Sequence, residues 1–265
     1  MFYGIASGNV DTGDYEFEHV LSDIQTLNEW AREGKLEVTA ISLHAYAHVH
    51  DKYALLPNGC SMGNRYGPIL VAREAIEPST LRGQKIAVPG LMTTAFLTLS
   101  LYLREFEPLV VPFDEIMDVV RRGDAVAGCV IHEGQLTYAE HGLHKILDLG
   151  KWWYQAEGLP LPLGVDVVRR DLGEGTCREL ARILGEGIEY AMSHRPAALD
   201  YARQFGRGLD PERTDRFVQM YVNEDTLDYG PRGREAVRHL LRKGHEAGLL
   251  PGPIEVDFVE HPARR

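Results

Sequence analysis

The chain has 265 residues, of which 44% are apolar and 25% charged, and carries a formal net charge of −11. That length accommodates one large domain or two α/β lobes, with an ordinary share of core-forming residues. The acidic balance and the lack of a Lys/Arg cluster argue against a nucleic-acid partner, because phosphate backbones recruit basic faces; a small ligand fits better.

Residues 2–8 read as the tail of a helix stopped at Gly8, and Tyr15–Val20 alternates like a half-buried strand. The opening residues show no basic leader or long apolar stretch, which points to a cytoplasmic protein. A helix is expected over Asp23–Glu33, stopped by Gly34, then a strand over Leu36–Ser42 and a short helix over His44–Lys52. The turn Pro57-Asn58-Gly59 and a glycine-spaced stretch lead to a strand at Ile69–Ala72. A second β-α-β set follows, with strands at 85–88, 109–112, 126–131 and 145–149 and helices at 94–104 and 114–122. Such alternation predicts a mainly parallel sheet with helices on both faces. The helix from Ala95 to Leu103 is far shorter than the roughly 20 residues that cross a bilayer, so it belongs to a core. From Leu172 onward the pattern is helical, with Pro196, Pro211 and Pro231 each placed for a helix first turn. Strands early and helices late imply that the chain returns. The expected architecture is α/β with two lobes, residues 1–76 and 165–265 forming one and residues 77–164 inserted as the other, with a ligand cleft between them.

Two segments carry chemistry. In Lys85–Ala95 an apolar strand ends at Pro89-Gly90 and a helix starts with Thr93 and Thr94. Unpaired N–H groups and the helix dipole there attract an anion such as a carboxylate. In Ala127–Glu133 another apolar strand delivers His132 at its C-terminal end, the edge where open α/β sheets place ligands. An imidazole titrates near neutrality and suits a general base, although a histidine at a strand end also serves as a hydrogen-bonded structural residue. Thr93 and Thr94 equally suit helix capping. Ser42 occupies the matching strand end in the other lobe, as a second wall of the site or as a simple cap.

His44 and His48, one helical turn apart with His50 and Asp51 beside them, raise a metal site. No His-Glu-x-x-His motif supports it, and the three cysteines, Cys60, Cys129 and Cys177, are widely spaced. Trp152-Trp153 ahead of Gly158–Gly164 suits either the wall of an aromatic ligand or the packing of a hinge. Neither a dinucleotide-binding glycine fingerprint, a Walker loop nor a Gly-x-Ser-x-Gly elbow occurs.

Together these segments resemble the 1,4-dihydroxy-6-naphthoate synthase family of the futalosine route to menaquinone. The matching stretches are Ala45-Tyr46-Ala47, Gly67-Pro68, Val88-Pro89-Gly90 with Thr93-Thr94-Ala95, Ile131-His132-Glu133, Asp148-Leu149-Gly150 with Trp152-Trp153, Gly158–Gly164, and Tyr221-Val222-Asn223 with Leu227-Asp228. The resemblance implies a two-lobed, periplasmic-binding-protein-like (type II) fold. It also implies a cofactor-free lyase acting on cyclic dehypoxanthine futalosine, a small-molecule carboxylate, with His132 as proton acceptor and Ser42, Thr93 and Thr94 holding substrate. Chorismate dehydratase of the same pathway and a non-catalytic solute-binding protein are the alternatives. Relatives begin with a strand and a Ser-Pro-Cys-Pro-Asn-Asp-Thr-like loop ahead of the helix that Met1-Phe2-Tyr3-Gly4 resembles, so a start at an internal methionine is expected. Asn64, Arg65 and Gly134 are less familiar within matching blocks.

Overall fold

In the computed structural model, which describes residues 1–205 and 210–260, the chain opens with a short helix (α1, Tyr3–Ala6) followed by Gly8 at a φ of 69°. Tyr15–Val20 is not the expected strand but irregular chain. Tyr15 and Phe17 pack against the buried cluster that includes Leu56, Val168 and Leu184. The alternation thus reflects one face resting on a core, without a ladder to make the segment a strand. In α2 (Ile24–Glu33) Asp23 caps the start, accepting from the N–H groups of Gln25 at 3.0 Å and Thr26 at 3.1 Å, and Gly34 ends it at a φ of 70°.

Next come β1 (Val38–Ser42), α3 (Leu43–Tyr46), β2 (Tyr53–Leu55) and β3 (Ser61–Gly63). The chain crosses into β4 (Ile69–Ala72), β5 (Lys85–Val88), α4 (Thr94–Tyr102), β6 (Glu107–Val110), α5 (Ile116–Arg122), β7 (Ala127–Val130), α6 (Gly134–Thr137), β8 (His144–Asp148) and α7 (Leu149–Glu157). It returns along β9 (Leu161–Arg169) to a helical end: α8 (Glu174–Ser193), α9 (Arg195–Arg203), α10 (Pro211–Tyr221), α11 (Glu224–Leu227) and α12 (Gly230–Glu246). Proline stands in the first turn of α9, α10 and α12, where its missing N–H costs no helix bond.

β9 is the spine of a four-stranded sheet, pairing antiparallel with β1, β2 and β3. The other sheet has five strands in the order β6-β5-β7-β4-β8. It is parallel across β6, β5 and β7 and antiparallel where β4 meets β7 and β8. A mainly parallel sheet therefore describes only those three strands. β4, buried along its whole length, lies inside the second sheet. The change of sheet comes before residue 69 rather than at 76/77, because β4 pairs with β7 on one edge and β8 on the other. At that crossing a Cβ on Gly67 would stand 2.8 Å from the backbone nitrogen of Gly150, so the two connections touch backbone to backbone.

The helix α4 joins the two cores. Its Leu97 packs with Ile41, Tyr46 and Trp153, while Ala95 and Leu99 pack with Leu70, Ile86 and Leu149. Burial of such side chains is worth about 1.5–3 kcal/mol each, and it holds the N-terminus of α4 rigidly where the sheets meet. No helix among the described residues is long and apolar enough to cross a membrane.

Candidate active site

β5 and β7 are parallel neighbours, with Ile86 opposite Ala127 and Ala87 opposite Gly128. The turn after Val88 and the segment after Val130 therefore leave the second sheet at one edge, which puts the start of α4 and His132 on the same side of the molecule. Ser42 ends β1 in the first sheet, level with Gly164 of β9.

At the start of α4 the hydroxyls serve the backbone. Thr93 donates to the Gly90 carbonyl at 2.8 Å and accepts from the Phe96 N–H at 3.2 Å, which makes it the N-cap. Thr94 donates across to the Leu163 carbonyl at 2.6 Å and accepts from the His44 N–H at 3.3 Å. Each threonine proton is thus committed to a carbonyl. The donors available to an anion are the N–H groups of Thr94 and Ala95, for which an α-helix supplies no internal acceptor. Ser42 makes no side-chain cap bond to α3. Its hydroxyl accepts from the Asn28 amide at 3.1 Å, and its own N–H donates to Asn28 Oδ1 at 2.8 Å. Asn28 also reaches the Met92 carbonyl at 3.4 Å, tying α2, β1 and the approach to α4 together.

His44 completes this group. Its Nδ1 lies 3.2 Å from the Thr93 carbonyl, which selects the Nδ1–H tautomer, and its ring stacks on Phe96 at 6.3 Å. Burial lowers its pKa to about 4, so it is neutral at ordinary pH. The metal alternative thus finds one of its imidazoles turned onto a backbone carbonyl. Trp153, fully buried, donates to the Pro160 carbonyl at 3.2 Å and packs in the core.

His132 heads a second group. The Gly134 N–H donates to its Nδ1 at 3.0 Å, Glu133 Oε2 stands 3.7 Å from the same nitrogen, and Phe113 meets the ring edge to face at 5.4 Å. Beside it lies a cavity of about 400 Å³ lined by Asp114, Glu133, Glu140 and Arg213 among others. Arg213 pairs with Glu140, and the hydrogen bonds from that guanidinium hold the Glu140 carboxyl below its ordinary range. While Gly134 occupies the Nδ1 lone pair, a neutral ring carries its proton on Nε2 and is a donor. To accept a proton at Nε2 the ring must first carry hydrogen on Nδ1, where the Glu133 carboxylate is the partner at hand.

The candidate residues therefore fall into two sets: Ser42, Thr93 and Thr94, linked through Asn28 and His44, and His132 beside its own cavity. Asn28, His44, Gln135 and Tyr221 were not singled out from sequence as parts of either set. Gln135 Nε2 donates to the Tyr221 hydroxyl at 2.9 Å across 86 positions of chain, a partnership with no local signal.

The chain is similar to curated proteins throughout its length. It is 42% identical over 254 residues to the 1,4-dihydroxy-6-naphthoate synthase of Thermus thermophilus, covering 96% of this chain and 92% of that one. With the enzyme of the same name from Streptomyces coelicolor it shares 36% identity, over 97% and 93% of the two chains. Its fold matches a crystal structure of an Archaeoglobus fulgidus protein at a TM-score of 0.89, with 45% identity over 94% and 93% of the chains. An alkanesulfonate-binding protein of Xanthomonas axonopodis superposes at a TM-score of 0.59 with 14% identity, over 88% and 83%, which places the architecture among the periplasmic-binding-protein-like folds. The family model described as menaquinone biosynthesis matches residues 1–246, a span that holds Ser42, Thr93, Thr94 and His132, and this chain belongs to that menaquinone biosynthesis family.

Proposed function

We propose that this chain is a 1,4-dihydroxy-6-naphthoate synthase, a cytoplasmic lyase that converts cyclic dehypoxanthine futalosine to 1,4-dihydroxy-6-naphthoate without a cofactor. The observation that carries the reading is the exit of an anion seat and an imidazole from adjacent parallel strands, β5 and β7, at one sheet edge. The names of the relatives supply the chemistry to which that arrangement is fitted.

In this reading the N–H groups of Thr94 and Ala95 receive the substrate carboxylate, with the dipole of α4 favouring the negative charge. Thr94 holds those groups in place through its bond to Leu163, and Thr93 caps the same turn. Ser42 approaches from the first sheet. His132, carrying hydrogen on Nδ1, takes at Nε2 the proton whose loss precedes fragmentation, and the Glu133 carboxylate accepts a hydrogen bond from Nδ1–H and stabilises the imidazolium. General base catalysis contributes about 10²–10⁴-fold; positioning and exclusion of water as the lobes close supply the rest. The lobes are the two segments 1–76 with 165–265 and 77–164, adjusted so that β4 moves with the second and the whole of β9 with the first.

The test is product formation from cyclic dehypoxanthine futalosine by the purified protein, read by mass detection. Wild type should turn over, and His132→Ala should lose about 100-fold or more in kcat. Ligand binding without product, unaltered by His132→Ala, would instead support a solute-binding role and overturn the lyase.

A further inference from the structure

We infer that the Gln135–Tyr221 hydrogen bond is a positioning device for His132, fixing the imidazole from the C-terminal helices. The catalytic consequence rests on the lyase reading; the structural one does not. Gln135 lies in α6, the one-turn helix that starts two residues after His132. The preceding Gly134 both donates to His132 Nδ1 and touches the ring: a Cβ there would stand 2.8 Å from His132 Cε1 and 2.9 Å from Met117 Cε. Any shift of α6 is therefore passed to the imidazole.

A helix of one turn does not hold itself in place. What ties it to the C-terminal helices is the amide of Gln135, 8% exposed, donating to the hydroxyl of Tyr221 at 2.9 Å. Tyr221 is itself braced. Phe217 packs on its ring at 4.8 Å and Tyr66 edge to face at 6.5 Å, while its carbonyl accepts from Thr226 Oγ1 at 3.2 Å. The Tyr66 hydroxyl donates to the carbonyls of Met62 and Met220, so the crossing between the sheets is tied to the same point. Burial, helped by Asp148 and Glu133 nearby, pushes the Tyr221 phenol well up, and it stays a neutral partner. The path from the crossing through Tyr66, Tyr221 and Gln135 to His132 thus runs through direct contacts. A shift of α6 thus re-aims the imidazole.

The variants are Tyr221→Phe, which removes only the hydroxyl, Gln135→Met, which removes the amide at similar volume, and the double variant. The first readout is the pair of His132 ring nitrogen resonances in the ligand-free protein, identified by their loss in His132→Ala. Wild type should show one set of resonances from an imidazole held in one orientation, and both single variants should shift and broaden it as that hold is lost. The second is turnover: kcat falls by about tenfold in each single variant with KM little changed, and the double variant falls no further, because one interaction is lost only once. If Tyr221→Phe fails to fold, Gln135→Met decides alone. Unchanged nitrogen resonances overturn the inference, as does a loss confined to KM. If wild type forms no product, the lyase reading fails, and the nitrogen resonances by themselves still decide whether the pair sets the ring.

Discussion

Two sets of side chains, equally removed from solvent, meet opposite fates. Around the start of α4, Asn28, Ser42, His44, Thr93 and Thr94 are all 5% exposed or less, and each has a hydrogen-bond partner. At the first sheet, Asp166 of β9 is 2% exposed and Asn58, between β2 and β3, fully buried, yet both carboxylate oxygens of Asp166, Oδ1 of Asn58 and the hydroxyl of Tyr229 at the start of α12 have no hydrogen-bond partner among the described residues. Gly59 lies against that carboxylate at a φ of 82°, leaving no room for a side chain. The contrast follows from the backbone. A helix N-terminus brings N–H groups with nothing to bond and a cap that organises them. Inside a sheet the ladder has already used those donors, so a polar side chain there must find its own or neutralise.

The largest effect expected from this contrast is a pair of opposed pH slopes. Burial raises the Asp166 carboxyl from 3.8 to about 7 and lowers the His44 imidazole from 6.5 to about 4. Folded Asp166 keeps a proton that the unfolded chain releases. Stability is therefore lost as pH rises from about 4 to about 7, by about 4 kcal/mol. Folded His44 refuses a proton that the unfolded chain takes up. Stability is lost in the other direction, as pH falls from about 6.5 to about 4, by about 3 kcal/mol. Over the shared window the two slopes largely cancel, and single variants unmask them. Relative to wild type, the stability of Asp166→Asn should climb with pH through this range, and that of His44→Asn should fall. Urea unfolding at fixed pH values measures both. Slopes equal to wild type in the two variants would break the comparison.

Sequence made the start of α4 legible because its signals are local: an apolar strand, Pro89-Gly90, then hydroxyls at the first turn. The return strand β9 was not legible. Trp152-Trp153 ahead of Gly158–Gly164 read as an aromatic wall or the packing of a hinge, and only the whole fold shows that Val165, Val167 and Val168 are buried at the centre of the first sheet. Tyr15–Val20 failed the opposite way, since alternation records which side chains face a core and says nothing of whether a strand lies alongside to pair. His132 was visible as a strand-end imidazole. Its tautomer depends on Gly134, and the restraint on Gly134 arrives from Tyr221, far along the chain; a contact of that kind leaves no pattern in either segment.

Asn28→Ala tests the well-bonded side of the comparison. It removes the partner of the buried Ser42 N–H and of the Ser42 hydroxyl together, and the link to the Met92 carbonyl. A buried donor left without an acceptor costs about 1–3 kcal/mol. The expected loss is about 2 kcal/mol in urea unfolding, with a rise in KM because Ser42 is no longer aimed. A loss of stability with KM unchanged would remove Ser42 from the substrate wall.

Thr93→Ala should have the smallest effect, and its two readouts should separate. The hydroxyl caps α4 by accepting from Phe96, so its removal costs about 1 kcal/mol of stability. Its proton, however, goes to the Gly90 carbonyl rather than toward a ligand. If the anion is held by the N–H groups of Thr94 and Ala95, KM should hardly change, since α4 remains packed by Ala95, Leu97 and Leu99 and its first turn stays where it was. A large rise in KM, with stability lowered only by the cap, would mean that the hydroxyl turns from Gly90 to the substrate on binding. The seat would then be made of side chains, and the difference between the two buried sets would lie in what a ligand supplies rather than in what the helix end provides.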